Sequence, residues 1–202
     1  AKLRTPYVTV VAESGKKSPF KVLVSCILSL RTKDEVTKAA SERLFAIAAT
    51  PGELAALDED VIAEAIYPAG FYKTKAKTLQ EIAGVLRDRY SSEVPDTIDE
   101  LLKLRGVGRK TANLVVTLGY GRPGICVDTH VHRIVNRWGL VSTKTPDKTE
   151  FALRKILPEM YWIGINDLLV TYGQNICRPA SPFCSRCAIS GFCEQRGVVK
   201  RR

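Results

Sequence analysis

The chain has 202 residues, 45% of them hydrophobic, enough to bury most of what the unfolded chain exposes in one or two small domains. Thirty-one Lys and Arg against 21 Asp and Glu leave a net charge of +10, which favours a polyanionic partner, nucleic acid first; a basic but unengaged surface is the alternative. The longest uncharged apolar run, 22–30, is too short to span a bilayer, and the start AKLRTPYVTVVAESGKK has no signal-peptide apolar region, so an intracellular protein with no membrane contact is expected.

In chain order, residues 1–17 form a basic arm with one apolar patch, 7–11, suited to a short docking helix. Ser18-Pro19 opens a helix through 30, because proline suits the first helical position and FKVLVSCILSL is apolar nearly all round, as a central buried helix must be. Thr32 and Glu35 stand at capping-box spacing and predict a helix to about 49; Thr50, Pro51 and Glu53 repeat the signal. Asp58 starts another short helix that ends before Pro68. The segment PAGFYKTKAKT leads into a long amphipathic helix ending near Tyr90, and Thr97 with Glu100 caps the next. After the stretch 101–118, GYGRPGICVDTH is an irregular link, and helices are expected over 131–138, 146–157 and 162–175. Valines and isoleucines recur at spacings of three and four, and no Asn-Gly or Asp-Gly hairpin turn occurs, so the fold class is all-α.

The stretch 101–118, LLKLRGVGRKTANLVVTL, joins two apolar-periodic segments through Gly106-Val107-Gly108 and reads as a helix-hairpin-helix. Glycines there tolerate positive φ and let another backbone approach, and the N–H groups at the start of the second helix suit an anion such as phosphate. Lys110 falls in that first turn, where the helix dipole disfavours a cation, so its presence suggests a function; a structural turn with a solvated lysine is the other reading.

Six cysteines do not form a secreted disulfide framework. Cys26 and Cys126 are isolated in apolar surroundings and read as core residues. Cys177, Cys184, Cys187 and Cys193 follow the spacing C-x6-C-x2-C-x5-C, which implies a metal centre. A single knuckle flanked by longer loops suits an iron–sulfur cubane better than zinc, which favours two short knuckles, though the spacing leaves both open. Arg178 and Arg186 lie on these loops, where they either meet phosphates or solubilise an exposed knob.

Taken together, LRGVGRKTAN, VDTHVHRIVNR and the four-cysteine tail resemble the endonuclease III branch of the helix-hairpin-helix DNA glycosylases, from about residue 19 to 193. The resemblance implies a helical-barrel domain over 18–122 and a second domain from 1–17 and 123–202 that carries a [4Fe-4S] cluster, with the active site in the cleft between them. It implies a bifunctional glycosylase and AP lyase, a monomer, acting on double-stranded DNA with oxidised pyrimidines or abasic sites. By position, Lys110 matches the catalytic lysine and Asp128 the catalytic aspartate. Gly106, Val107 and Gly108 match the phosphate clamp, the four cysteines match the cluster ligands, and Phe71 and Arg31 match two residues that fill the gap left by the extruded nucleotide. Two positions depart from the pattern: many members have proline where Arg105 stands and glutamine where Arg31 stands. Arginine only donates hydrogen bonds, which shifts the expected opposite-base preference toward guanine.

The lysine must attack as a neutral amine, and its expected partial burial would favour that form. Asp128 would take a proton from it and stabilise positive charge on the sugar, or cap the helix beginning near His130, or both. His130 would orient the site. Asp34 is either an active-site acid or an ordinary first-turn acid. Relatives that remove adenine carry a glutamate on the buried helix, which 19–29 lacks. A monofunctional mismatch glycosylase and a non-catalytic DNA-binding module with a structural metal are the rival functions.

Overall fold

The computed structural model of the chain describes residues 7–13 and 18–202; the rest of the basic arm, 1–6 and 14–17, lies outside them. The described residues contain helices and turns and no strand. Two compact units divide the chain, one ending at Arg122 and the other covering Pro123–Arg202.

The first unit holds α1 (Tyr7–Glu13), α2 (Pro19–Ser29), α3 (Asp34–Ile47), α4 (Pro51–Ala55), α5 (Glu59–Ile66), α6 (Tyr72–Arg89), α7 (Ile98–Leu101) and α8 (Arg109–Leu114). A π-helical segment, Val115–Gly119, continues α8. Helix α2 is the centre. The Ser18 hydroxyl accepts the Lys21 N–H at 3.3 Å, Pro19 fills the first turn, and every residue from Val22 to Leu28 is buried. Helices α1, α3, α6 and α8 and the π-helical segment all pack against it. Leu23 and Leu28 are fully buried, and each such side chain stabilises the unit by roughly 1.5–3 kcal/mol. Gly119 lies so close to the start of α2 that a Cβ there would stand 2.9 Å from Pro19 Cα.

Local signals place most of these elements. Thr50 and Glu53 form the complete capping box ahead of α4. Before α7 only half the motif forms: Thr97 Oγ1 accepts the Glu100 N–H at 3.4 Å, while the Glu100 carboxylate turns to Tyr90 and Lys103. The box expected from Thr32 and Glu35 does not form. Helix α3 starts at Asp34 behind Lys33 with no side-chain cap, and the Thr32 hydroxyl bonds instead to the Gly70 N–H and to Lys75 of α6.

The arm was expected to side with the C-terminal domain. Its described part, α1, packs instead on α2 and α3, where Asp34 accepts the Tyr7 N–H at 2.9 and 3.2 Å through its two carboxylate oxygens. Tyr7, Val8 and Val11 bury their apolar faces in the same core.

The second unit holds α9 (Thr129–Trp138), α10 (Pro146–Ile156) and α11 (Ile165–Asn175), around a small core of Ile125, Val131, Ile134, Val135, Leu153 and Leu169. Gly139, at φ 82, ends α9 in the left-handed conformation that favours glycine. After α11 the chain has only two short 3-10 turns, Cys184–Arg186 and Ser190–Phe192, neither with a buried residue.

Two glycine substitutions separate packing from backbone entropy. Gly84 lies inside α6 with nothing within 4 Å of an added Cβ, so Gly84→Ala is expected to raise stability by about 0.5–1 kcal/mol. Gly119→Ala must push α2 away and is expected to lower it by roughly 1–3 kcal/mol. Denaturant unfolding of the two variants checks both signs.

Candidate functional site

The hairpin hinge sits between α7 and α8. Gly106 adopts φ 74, open only to glycine without strain, and an added Cβ would meet Thr78 Cγ2 at 3.0 Å. Gly108 has an extended backbone and nothing within 4 Å of its missing Cβ, so the chain's own packing makes no demand for glycine there. The Val107 N–H is used internally, donating to Leu104 O at 3.1 Å, and Val107 itself is buried. Among the described residues, no backbone carbonyl accepts the N–H of Gly106 or Gly108.

Lys110 is the second residue of α8 and is exposed. It lies above α2, close enough to Cys26 for its charge to act on that thiol. Burial pushes the Cys26 thiol up to about 12, and the Lys110 ammonium opposes the shift. Arg105, beside the hinge, does not add an unbalanced charge, because its guanidinium meets both oxygens of Glu81 at 2.6 Å.

Arg31 and Phe71 form a pair. Both are exposed, Phe71 by 61%, and both adopt positive φ, 52 and 58, although neither is glycine. The Arg31 guanidinium carbon lies 5.5 Å from the centre of the Phe71 ring. Between their backbones a Cβ on Gly70 would stand 2.5 Å from Arg31 O, so only glycine fits. Beneath the pair, Lys75 is buried and donates through Nζ to Leu28 O at 2.7 Å, Leu30 O at 2.6 Å and Thr32 Oγ1 at 2.8 Å. Burial pulls its pKa down to about 8, which still leaves the ammonium predominant at neutral pH, with three donors for three acceptors. The long-range role of Lys75 was missed from the sequence. Its signal is a lysine in register with Leu79, Ile82 and Leu86 on the buried stripe of α6.

In the second unit, Asp128 caps α9: its Oδ1 accepts the N–H groups of His130 at 2.8 Å and Val131 at 2.9 Å, bonds in which Oδ2 takes no part. His130 is half-buried, with Nδ1 3.0 Å from Arg133 Nη2. Arg133 also donates to Cys177 O at 2.8 Å, and Arg137 donates to Arg178 O at 2.7 Å and Pro179 O at 2.5 Å. These two arginines, which sequence reasoning did not single out, hold the start of the cysteine loop to α9. Asp34 belongs to the other unit, where its carboxylate serves α1.

Cys177, Cys184, Cys187 and Cys193 are free thiols that border one pocket, with Trp138, Ile176 and Phe183 among its walls. Sulfur already has polar partners there: the Gln195 N–H lies 3.4 Å from Cys193 Sγ, Arg137 Nη1 3.5 Å from Cys177 Sγ and the Tyr172 hydroxyl 2.7 Å from Cys187 Sγ. Among the described residues, no three Cys, His, Asp or Glu converge closely enough to hold a metal ion. Outside the pocket, the guanidinium carbons of Arg178, Arg186 and Arg202 lie 5.1, 5.6 and 4.6 Å from the centre of the Phe183 ring.

A glycine hinge heading a helix with an exposed lysine, and an aspartate-capped helix tied to a four-cysteine loop, define a class. The pattern of the HhH-GPD superfamily base excision DNA repair proteins matches residues 24–159, and the chain belongs to that family. Within it, the chain is 48% identical over 189 residues to endonuclease III of Thermotoga maritima, covering 91% of this chain and 89% of that one. It is 41% identical over 183 residues to endonuclease III-like protein 1 of Mus musculus, covering 89% of this chain and 61% of that longer one. Among solved structures, a trapped endonuclease III–DNA covalent intermediate superposes with a TM-score of 0.82 at 35% identity, over 90% of this chain and 85% of that one. A thermostable thymine-DNA glycosylase has a TM-score of 0.80 at 23% identity, over 93% and 92%, and shares the fold. No helix of the described residues is long and apolar enough to cross a membrane.

The burial of Cys26 and Cys126, each 2% exposed, has a chemical consequence. In the folded protein at neutral pH both are expected to resist iodoacetamide and to become labelled only in denaturant, because burial denies the reagent access to either sulfur, and burial also raises the pKa of the Cys26 thiol. Peptide mapping by mass spectrometry distinguishes this from labelling in the native state.

Proposed function

We propose that the chain is a bifunctional DNA glycosylase and AP lyase of base excision repair that removes oxidised pyrimidines from double-stranded DNA through a Schiff base on Lys110. The observation that carries this reading is the exposed amine at the head of α8, directly behind a glycine hinge with two N–H groups available to a phosphate. The captured covalent intermediate of an endonuclease III, 35% identical to this chain, supports it.

The chemistry follows from the residue types. A base stacked in a duplex is out of reach, so the nucleotide must be extruded, and Phe71 and Arg31 are the side chains offered to the gap it leaves. The neutral amine of Lys110 attacks C1′, the bond from C1′ to the base breaks, and the base leaves with the bonding electrons and a proton. The attached nitrogen gives up one proton, the C1′–O4′ bond then breaks with O4′ taking up a proton, and the nitrogen lone pair forms the C1′=N bond of a Schiff base that keeps the remaining N–H and is therefore protonated. Removal of a C2′ proton then expels the 3′ phosphate. Asp128 is the acceptor for the amine proton and the counter-charge for the sugar. Its capping bonds to the His130 and Val131 N–H groups, both through Oδ1, hold the carboxylate in one orientation. Arg31 donates to the unpaired base, which favours guanine.

Four free thiols that border one pocket without converging on a point suit a [4Fe-4S] cluster better than a single zinc, whose bonds to sulfur are only about 2.3 Å long. Cys177, Cys184, Cys187 and Cys193 would hold it. Its contribution when bound is to cross-link a loop that has no apolar core of its own and to present Arg178 and Arg186 to phosphates.

Borohydride reduction in the presence of duplex DNA carrying an oxidised pyrimidine is expected to trap the wild type covalently and to trap no Lys110→Ala protein. Asp128→Asn is expected to lower the single-turnover rate on the order of a hundredfold or more. An undiminished adduct with Lys110→Ala sinks the mechanism. Iron and sulfide analysis of the purified protein is expected to give a brown chromophore with equal iron and acid-labile sulfide; a colourless protein with one zinc overturns the cluster.

A further inference from the structure

Arg31 and Phe71 lie on different loops, at the end of α2 and ahead of α6, and each is held at positive φ without being glycine. Such backbone conformations persist only where the surroundings over-determine them. Here the surroundings are one connected set of hydrogen bonds. Lys75 Nζ reaches Leu28 O, Leu30 O and Thr32 Oγ1, at 2.7, 2.6 and 2.8 Å. The Thr32 hydroxyl donates in turn to Leu30 O at 3.2 Å and accepts the Gly70 N–H at 3.1 Å. Gly70 adjoins Phe71, and its missing Cβ is what lets the two loops meet against Arg31 O. Every group in this set is satisfied by the others, and the two exposed side chains stand on either side of it.

We infer that Lys75, through Thr32 and Gly70, is a positioning residue that presets Arg31 and Phe71 as one unit and thereby sets discrimination of the base opposite the lesion. The inference rests on the gap-filling reading of that pair. Lys75 is buried and touches no DNA in this role. Its effect lies in pre-organisation: two side chains already paired across 5.5 Å enter the gap together and need not be ordered on binding. The chemical step at Lys110 draws nothing from the clamp, so the clamp should matter only when a base pair has to be opened.

The test compares two activities in the same protein. One is base removal from a duplex carrying an oxidised thymine opposite each of the four bases. The other is β-elimination at an abasic site in single-stranded DNA, where there is no opposite base and no gap to fill. The variants are Lys75→Met, Thr32→Val and the conservative Thr32→Ser, with thermal melting of each. Thr32→Val removes the shared hydroxyl while leaving the buried ammonium two carbonyls, so it tests the clamp should Lys75→Met fail to fold.

A folded Thr32→Val protein is expected to lose on the order of tenfold in duplex excision opposite guanine, and to flatten its ranking of opposite bases. Its single-strand elimination is expected to stay within about twofold of wild type. Thr32→Ser should restore both the rate and the ranking. An unchanged ranking, or equal losses in the two activities, overturns the inference. Arg31→Ala and Phe71→Ala tested alongside isolate the underlying reading: if neither alters duplex excision or ranking, the gap-filling assignment fails whatever the clamp variants do.

Discussion

The burial of α2 constrains everything around it in the first unit. A helix apolar on all sides gains stability only if it is surrounded, and once surrounded its last carbonyls can no longer be left to water. Leu28 O meets this problem at the end of α2, and the chain solves it with a charge: the ammonium of Lys75, brought in from α6, which also takes the carbonyl of the exposed capping residue Leu30. An ammonium in a core is costly to leave unpartnered, so the same solution demands a third acceptor, and Thr32 supplies it. The loop after α2 is thus tied to the loop before α6 by the need to satisfy polar groups. The exposed Arg31 and Phe71 inherit their positions from that requirement.

What the sequence revealed divides along the distance over which each signal acts. The caps at Ser18, Thr50 and Thr97 involve partners three residues away, and each is visible in the order of residues. Thr32 carries the same signature and does something else, because the partners that win its hydroxyl, Gly70 and Lys75, stand 38 and 43 residues away. Nothing local separates the two cases. The same limit hid the use of Asp34 by α1, across 27 residues, and the placement of α1 on α2 and α3. The all-α class and the helical order were legible, since period and capping are local. The π-helical segment after α8 was not, because VVTLG has the same apolar pattern in either helix.

At the candidate site, residue type and spacing reached further than conformation did. The glycine hinge, the lysine behind it, the aspartate before α9 and the cysteine spacing were all readable. The division of labour within them was not: Val107 uses its N–H internally, Gly108 has no steric need to be glycine, and Lys110 is exposed. The fold tolerates a side chain at Gly108, and on the proposed reading the close approach of a DNA backbone is what a glycine there would serve.

Helix α9 links the proposed acid to the cysteine loop. Asp128 caps its N-terminus, and from its body Arg133 and Arg137 reach the carbonyls of Cys177, Arg178 and Pro179. A cluster bound to four cysteines would fix them relative to one another, yet nothing in that bonding fixes the loop to the rest of the unit. The guanidinium bonds do, since each is a charged donor on a main-chain acceptor and is stronger than a neutral pair. On this reading the loop would take its internal shape from the cluster its cysteines hold, and it takes its place from α9. The guanidinium groups of Arg178, Arg186 and Arg202 gather on Phe183, a ring that also forms part of the wall of the pocket that the cysteines border. On the proposed reading, contact between each guanidinium and the ring would bias the three charges toward one side of the cysteine loop, where they would meet phosphates and help fix the register of the DNA.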